Sequence, residues 1–375
     1  MKVEKNINTH ENDVFDHKRK IEFTSIKDVN NPKSIHGIYP YRGKISAIDA
    51  RNIIEQLPRN ASLLDPFCGS GTILYEAQKH GMITYGVDMN PLAITLSKAK
   101  VYQPNSADEV IAECNDIIKK AKQIIDTITF DEMPDYPRRQ FHEKTAIEIM
   151  SVSRFEKDMS DYLKGAYYGA IALTARGCNH YKWTSSTVGK NIEPKRYIDF
   201  YSKLREKVKK HAIFNSFVKS TVIYGDSRKL SSFIPEKSID FVFTSPPYFD
   251  ALDYTAYYGK LIYDIHNIDR MNIKQDLIQN AKTYKDDMRL VLNEIDKVTT
   301  DDALIIFVVG DKKVKNQLIN GGKFFEEIYH KKPSYIIERT YAGTSSQVFD
   351  KLNKTNRKEQ IVVWDKSKGV LNADE

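Results

Sequence analysis

Cysteine is scarce in this chain: Cys68, Cys114 and Cys178 are the three among 375 residues, an odd number with no CxxC pair. That excludes a disulfide framework and a zinc–thiolate cluster. Long apolar runs are missing too. No stretch approaches the roughly 20 residues that span a bilayer, and the opening MKVEKNINTHENDVFDHKRK has no apolar segment of the signal-peptide kind. The expectation is a soluble, cytoplasmic protein. A strong charge of one sign is also absent, since 57 Lys and Arg face 50 Asp and Glu for a net +7. This permits a nucleic-acid partner without demanding one. Hydrophobic residues, by contrast, make up 41% of the chain, enough to bury one large α/β domain or two ordinary ones.

Residues 1–30 are polar, charge-rich and aperiodic, and read as a flexible arm. Beyond them, short apolar β-branched runs alternate with helical patterns. The runs predict seven strands, at Ser62–Phe67, Thr84–Asp88, Thr221–Gly225, Ile239–Thr244, Ala303–Val309, Tyr335–Thr340 and Gln360–Trp364. IDFVF and ALIIFVV are apolar throughout, as in central strands covered on both faces. Helical patterns between the first five, notably Pro91–Tyr102 and Tyr284–Val298, predict parallel βαβ units in a doubly wound α/β sheet. The last two strands suit an antiparallel pair at one edge. One spacing is far too long for a crossover: over 100 residues separate the second and third strands. The chain therefore divides into a sheet domain built from 31–103 and 220–367, a mainly helical insertion over 104–219, and a tail, 368–375. Within the insertion, Arg176–Lys219 carries 11 Lys and Arg against three acids, with Tyr181, Trp183, Tyr197, Phe200 and Tyr201 interleaved.

Two phosphate signatures are absent. GxxxxGK[ST] does not occur, and Gly69 and Gly71 are followed by Leu74 where GxGxxG needs glycine or alanine, which disfavours a nicotinamide enzyme. What stands there instead is Asp65-Pro66-Phe67-Cys68-Gly69-Ser70-Gly71-Thr72, between a strand and a helix. A glycine turn in that place lets a ligand approach the backbone and meet helix N-terminal amides. Asp88, about 20 residues on, ends the next strand, where an acid accepts the hydroxyls of a ribose. Asp226 ends the third strand. Together they predict a pocket for a cationic nucleoside at the carboxyl edge of the sheet. The plainer alternative makes the acids helix caps and the glycines an ordinary turn.

Thr244-Ser245-Pro246-Pro247-Tyr248 ends the fourth strand. Two successive prolines force the chain out of the sheet. The turn fixes the Ser245 hydroxyl, the Pro246 carbonyl and the Tyr248 ring relative to one another. Two acceptors beside an aromatic plate suit a planar group bearing an amine, as flipped bases do.

DPFCGSGT followed by TSPPY resembles the S-adenosylmethionine-dependent amino-methyltransferases of DNA, the N4-cytosine and N6-adenine enzymes of bacterial modification systems. His36-Gly37-Ile38-Tyr39-Pro40-Tyr41-Arg42-Gly43-Lys44 looks like the same family's segment upstream of the cofactor motif. The resemblance covers about 36–100 and 221–365. It implies a seven-stranded Rossmann-like methyltransferase sheet with the last strand antiparallel, and S-adenosylmethionine as cofactor. Phe67, Gly69 and Gly71 would line its methionine part, with Asp65 near its amino group and Lys44 close by. Asp88 would hold its ribose and Asp226 would sit beside its adenine amine. Pro66, Thr72, Met89 and Thr244 fall in the same motifs. Ser245, Pro246, Pro247 and Tyr248 would hold the target base, walled by Phe249 and Tyr254. No metal is implied.

Serine at the head of this turn is commonest among the N4-cytosine members, so the resemblance favours cytosine N4 over adenine N6. The cofactor motif, however, precedes the catalytic one, whereas many N4-cytosine enzymes have the reverse order. C5 methylation would need a nucleophilic cysteine, and all three cysteines read as structural. The basic, aromatic insertion is the candidate surface for double-stranded DNA, through Arg176, Lys182, Lys190, Lys195, Arg196, Lys207, Lys209 and Lys210. A cognate restriction endonuclease is the expected companion. The competing readings are an RNA amino-methyltransferase and a catalytically silent nucleic-acid-binding protein.

Overall fold

The computed structural model describes residues 20–23, 34–41, 45–175, 196–214, 218–247, 255–314, 317–341 and 357–368. Nine strands are described: β1 (Ser62–Asp65), β2 (Ile83–Asp88), β3 (Ser220–Tyr224), β4 (Ile239–Thr244), β5 (Thr299–Gly310), β6 (Lys312–Val314), β7 (Gln317–Ile319), β8 (Tyr335–Tyr341) and β9 (Arg357–Asp365). Seven form one sheet in the order β3-β2-β1-β4-β5-β9-β8. β1 to β5 run parallel, and β9 is antiparallel to both β5 and β8. β6 and β7 pair as a separate hairpin, which the sequence reading did not anticipate.

Among the described residues the longer helices are α1 (Ala47–Ile54), α2 (Thr72–His80), α3 (Pro91–Val101), α4 (Ala107–Ile124), α5 (Glu143–Ser153), α6 (Asp161–Thr174), α7 (Phe200–His211), α8 (Lys260–Ile265), α9 (Arg270–Asp276), α10 (Tyr284–Val298) and α11 (Gly321–Ile328). The expected helix between β3 and β4 is reduced to a short 3₁₀ helix over Ser227–Ser232, kinked at Lys229, because some 14 residues must cross from the sheet edge past β2 and β1. The helix α11 was missed because it opens on two glycines; Asn320 supplies its start, accepting the Lys323 amide at 2.9 Å.

The continuous apolar strands serve two cores at once, through the two-residue alternation of side chains across a sheet. Leu64, Val87, Val242, Ile305, Phe307 and Val362 face α10 and α11. Leu63, Phe241, Phe243, Leu304, Ile306 and Ile361 face α1 and α2. Residues 20–23, expected within the flexible arm, dock on this second core instead. Ile21 is buried there and its amide donates to the Tyr335 hydroxyl at 2.7 Å. The rest of 1–30 (bar 20–23) and residues 369–375 lie outside the described residues.

The helices between β2 and β3 share a third core with α3 and the 35–41 segment. α6 lies so close to α3 that a Cβ on Gly165 would stand 2.4 Å from that of Ala99. These helices therefore extend one helical layer of the sheet domain. No described helix is long and apolar enough to cross a membrane.

Candidate active site

The sheet order reverses between β1 and β4. β1 feeds α2 through the glycine turn and β4 ends in the proline turn, and the crevice at the carboxyl ends of such diverging neighbours is where these sheets bind ligands. Here the glycine turn after β1 meets the proline turn after β4. A partly open cleft lies at this edge, lined by Phe67, Gly69, Asp88, Met89, Ser245 and Pro247 among the expected residues.

The glycine turn is held by backbone geometry. Gly69 and Gly71 have φ of 50° and 73°, the left-handed region open chiefly to glycine. A Cβ on Gly71 would also lie 2.8 Å from Cα of Ser97, so α3 packs directly against the turn. The Ser97 hydroxyl donates to the Gly69 carbonyl at 2.8 Å. The buried Lys100 ammonium donates to the hydroxyls of Ser70 (3.1 Å) and Thr72 (3.4 Å) from behind. Leu74, the residue that breaks GxGxxG, has its counterpart in β2: a Cβ on Gly86 would lie 2.3 Å from Leu74 Cδ1. Close packing of helix on strand is kept, with the small residue moved from helix to strand.

Asp88 joins the two halves of the turn. Its Oδ2 accepts the Gly69 amide at 2.9 Å and its Oδ1 the Asn90 amide at 2.8 Å. Burial pushes its carboxyl up to about 6, against the pull of the Asn90, Gly69 and Met89 amides. Asp65 lies deeper, 2% exposed. Its Oδ1 accepts from the Thr244 hydroxyl at 2.6 Å and from the Phe67 amide at 3.1 Å, which locks the end of β4 to the end of β1. Burial drives it up to about 7, opposed by the Thr244 and Phe67 bonds and assisted by the nearby Asp88 charge. The proline turn is pinned from α10, where the Tyr284 hydroxyl donates to the Pro247 carbonyl at 2.6 Å.

Several expected residues support the cleft without lining it. Asp65 and Thr244 form the buried tie just described, and Pro246 is buried. The Pro66 carbonyl accepts from the Ser227 hydroxyl. Gly71 and Thr72 begin α2. Asp226, expected beside the cofactor's adenine amine, is engaged elsewhere. Its Oδ1 accepts the Arg228 amide (2.9 Å) and Nε (3.0 Å), and its Oδ2 accepts Nε (3.0 Å) and Nη2 (2.9 Å). Asp287 holds the same guanidinium at 2.8 Å. Lys44, Tyr248, Phe249 and Tyr254 lie outside the described residues.

The cleft also takes in residues that the sequence reading did not place there: Tyr41, Asn90, Ser227, Leu277, Ile278 and Gln279. Tyr41 stands in the upstream segment already recognised. That segment is anchored where His36 Nε2 meets Glu76 at 2.7 Å, a carboxylate also gripped by Arg51 at 2.9 Å. Asn90 precedes Pro91 and accepts the Leu92 and Ala93 amides, an N-cap readable from sequence. Leu277–Gln279 lie some 30 residues beyond the proline turn, and no local pattern marks them.

Two polar atoms in this lining are buried and unpartnered: Asn90 Nδ2 and Gln279 Oε1. Leaving such groups unpaired costs about 1–3 kcal/mol each. An orphaned donor and an orphaned acceptor bordering one cleft, beside a carboxylate, fit a ligand with hydroxyl and amine groups, as the nucleoside of S-adenosylmethionine has. Cys68 does not fit a nucleophile. It is buried, and burial together with the Asp88 and Asp65 charges keeps its thiol well above the ordinary range. Cys114, also buried, is pushed up to about 12, and Cys178 lies outside the described residues.

Of the expected DNA contacts, Arg176, Lys182, Lys190 and Lys195 lie outside the described residues, and Arg196 is exposed. α7 carries the others. It buries Phe200, Tyr201, Leu204 and Val208 and exposes Lys209 and Lys210. Lys207 is a tether, donating to the Gly37 carbonyl at 2.9 Å. Lys203 is paired with Glu206 at 2.6 Å.

Comparison with known proteins follows this geometry. A family described as "D12 class N6 adenine-specific DNA methyltransferase" matches residues 47–340. The type II methyltransferase M.MvaI of Kocuria varians is 24% identical over 381 residues, covering 91% of this chain and 73% of its own. The type II methyltransferase M.MjaII of Methanocaldococcus jannaschii is 22% identical, covering 78% of this chain and 75% of its own. Among solved structures, an rRNA methyltransferase of Streptomyces viridochromogenes is 12% identical with a TM-score of 0.34, covering 89% of this chain and 91% of its own.

Proposed function

Since the chain belongs to the D12 class of N6 adenine-specific DNA methyltransferases, we propose that it methylates the exocyclic amine of a flipped base at a defined site in double-stranded DNA, within a restriction–modification or related defence system. The observation that carries this reading is the junction of the two turns. Ser245 and Pro247 border the same cleft as Phe67, Gly69 and Asp88, so base and cofactor subsites are contiguous.

S-adenosylmethionine supplies an electrophilic methyl on a sulfonium. The chain's own groups do the rest. Asp88 and Asn90 hold the ribose end, and the backbone of the glycine turn lets the other end lie close. The Ser245 hydroxyl, which lines the cleft, accepts one hydrogen of the base amine, and the Pro246 carbonyl, set behind that lining, takes the other once the base has entered. Those bonds pull the nitrogen toward tetrahedral geometry and localise its lone pair, which otherwise delocalises into the ring. The Tyr284–Pro247 and Thr244–Asp65 bonds hold the acceptors in place, and proximity supplies much of the acceleration. A serine hydroxyl is too weak a base at neutral pH to take the proton outright, so its role is to orient. The nitrogen–methyl bond replaces the sulfonium–methyl bond, and the alkylated amine, strongly acidic while it carries its surplus proton, gives that proton to water.

Ser245 at the head of the turn supports cytosine N4 as the target. Adenine N6 is the second reading, favoured by the description of the family itself. Incubation with methyl-labelled S-adenosylmethionine and mixed-sequence DNA, followed by digestion to nucleosides, decides between them. Label in N4-methylcytosine that disappears in Ser245→Ala supports the first reading, and label in N6-methyladenine the second. Label in RNA but not DNA would refute both.

A further inference from the structure

The acidic residue after β3 is the expected partner of the cofactor's adenine amine, but in this chain both its oxygens are engaged by its own neighbour. Asp226 accepts the Arg228 amide at 2.9 Å and shares its Nε–H between both oxygens at 3.0 Å, with Nη2 in ion-pair contact at 2.9 Å. Asp287 fixes that guanidinium from α10, and Asp226 does not line the cleft. An adenine amine entering here needs a different acceptor.

We propose that Gln279 Oε1 is that acceptor and sets the preference of the cofactor site for an adenine over an oxo-purine. This inference rests on the reading of the cleft as a cofactor site. Three observations converge on it. Gln279 is 8% exposed and lines the cleft, yet its Oε1 has no partner. Its Nε2 is occupied, donating to the Lys274 carbonyl at 3.4 Å, which orients the amide with oxygen, not nitrogen, left over. The segment bearing it is tied to the loop after β3, since Arg228 Nη2 donates to the Asp276 carbonyl at 3.3 Å. Ile278 anchors that segment in the core with Val87 and Leu230. The orphan acceptor therefore borders the cleft that Asp88, Met89 and Ser227 also line, on a segment tied to the loop after β3. A lone acceptor pairs with an amine and meets a purine carbonyl with lone-pair repulsion.

The test is calorimetric binding of S-adenosylhomocysteine, of S-inosylhomocysteine and of the 6-unsubstituted purine analogue. The inosyl form has a carbonyl for the amine and an N–H for the adjacent ring nitrogen, whereas the purine analogue lacks the amine alone and should lose the same preference. The native protein should prefer the adenosyl form by roughly tenfold or more, as sites with a dedicated hydrogen-bonding group do. Gln279→Ala and the near-isosteric Gln279→Met should narrow that gap to about twofold, mainly by weakening the adenosyl form. Gln279→Glu, which keeps an acceptor, should preserve it. Asp226→Asn should also preserve it. Thermal melts check that each variant is folded, and the ratio of two ligands on one sample is insensitive to partial unfolding. A full gap in both Gln279→Ala and Gln279→Met, or its collapse in Asp226→Asn alone, overturns the assignment. Equal binding of all three ligands by the native protein also overturns it while leaving the cofactor site intact. Binding of none would overturn the cofactor reading on which it rests.

Discussion

Asp65 is a buried carboxyl whose replacement should stabilise the protein in a manner set by pH. An exposed aspartate ionises near 3.9, whereas burial raises Asp65 to about 7. Below pH 4 the group is neutral in both folded and unfolded chains. Between pH 4 and 7 the unfolded chain releases the proton and the folded one retains it, so stability falls as pH rises through that window and is lowest above 7. At 1.36 kcal/mol per pH unit, the loss is on the order of 4 kcal/mol. Asp65→Asn removes the ionisation and keeps an oxygen for the Thr244 hydroxyl and the Phe67 amide. An unfolding entropy of about 2.1 cal/mol/K per residue over the chain gives about 0.8 kcal/mol/K. The variant should therefore melt roughly 5 °C higher than the native protein at pH 8, with the two curves converging at pH 4. Scanning calorimetry from pH 4 to 8 measures this. A difference that does not change with pH, or a variant less stable at pH 8, would refute the reasoning. Because Asp65 ties the end of β4 to the end of β1 beneath the cleft, the variant should also bind S-adenosylmethionine more weakly, the usual exchange of stability for function.

Asp88, raised to about 6, should make cofactor affinity pH-dependent. Ribose hydroxyls and a sulfonium favour the ionised form, so affinity should fall roughly tenfold between pH 7 and 5; a flat calorimetric profile would exclude Asp88 as the hydroxyl acceptor. Gly71→Ala meets both a positive φ and the Ser97 backbone, and denaturant titration should show a loss of about 1–3 kcal/mol together with loss of cofactor binding. Tyr284→Phe frees the Pro247 carbonyl; kcat should drop about tenfold or more while cofactor Kd stays nearly unchanged, and an equal loss in both would place Tyr284 in the cofactor site instead. Lys209→Ala with Lys210→Ala should weaken DNA binding and lower the slope of log K against log salt by about 2; an unchanged slope would remove α7 from the interface. Lys207 is left out of that pair because its tether to Gly37 would confound the result.

Patterns of short range were legible in the sequence. All seven strands of the main sheet were predicted within a few residues, because alternate residues of strands such as β4 and β5 feed two separate cores and must all be apolar. DPFCGSGT and TSPPY were legible because positive φ at Gly69 and Gly71 and the geometry of successive prolines each restrict a position to one or two residue types. α11 and the β6–β7 hairpin escaped, since short elements leave too little periodicity to detect. Tertiary structure alone decided which side chains share the cleft. Asp226 has the right type and spacing to meet an adenine, but it is paired within the chain with Arg228, a guanidinium that Asp287 holds from its other side. Gln279 has no sequence mark, yet burial and an unpaired oxygen put it at the site. A strand or a turn is governed by the few residues that form it. A carboxylate's role depends on whatever distant groups reach its lone pairs first, and only the folded chain determines that.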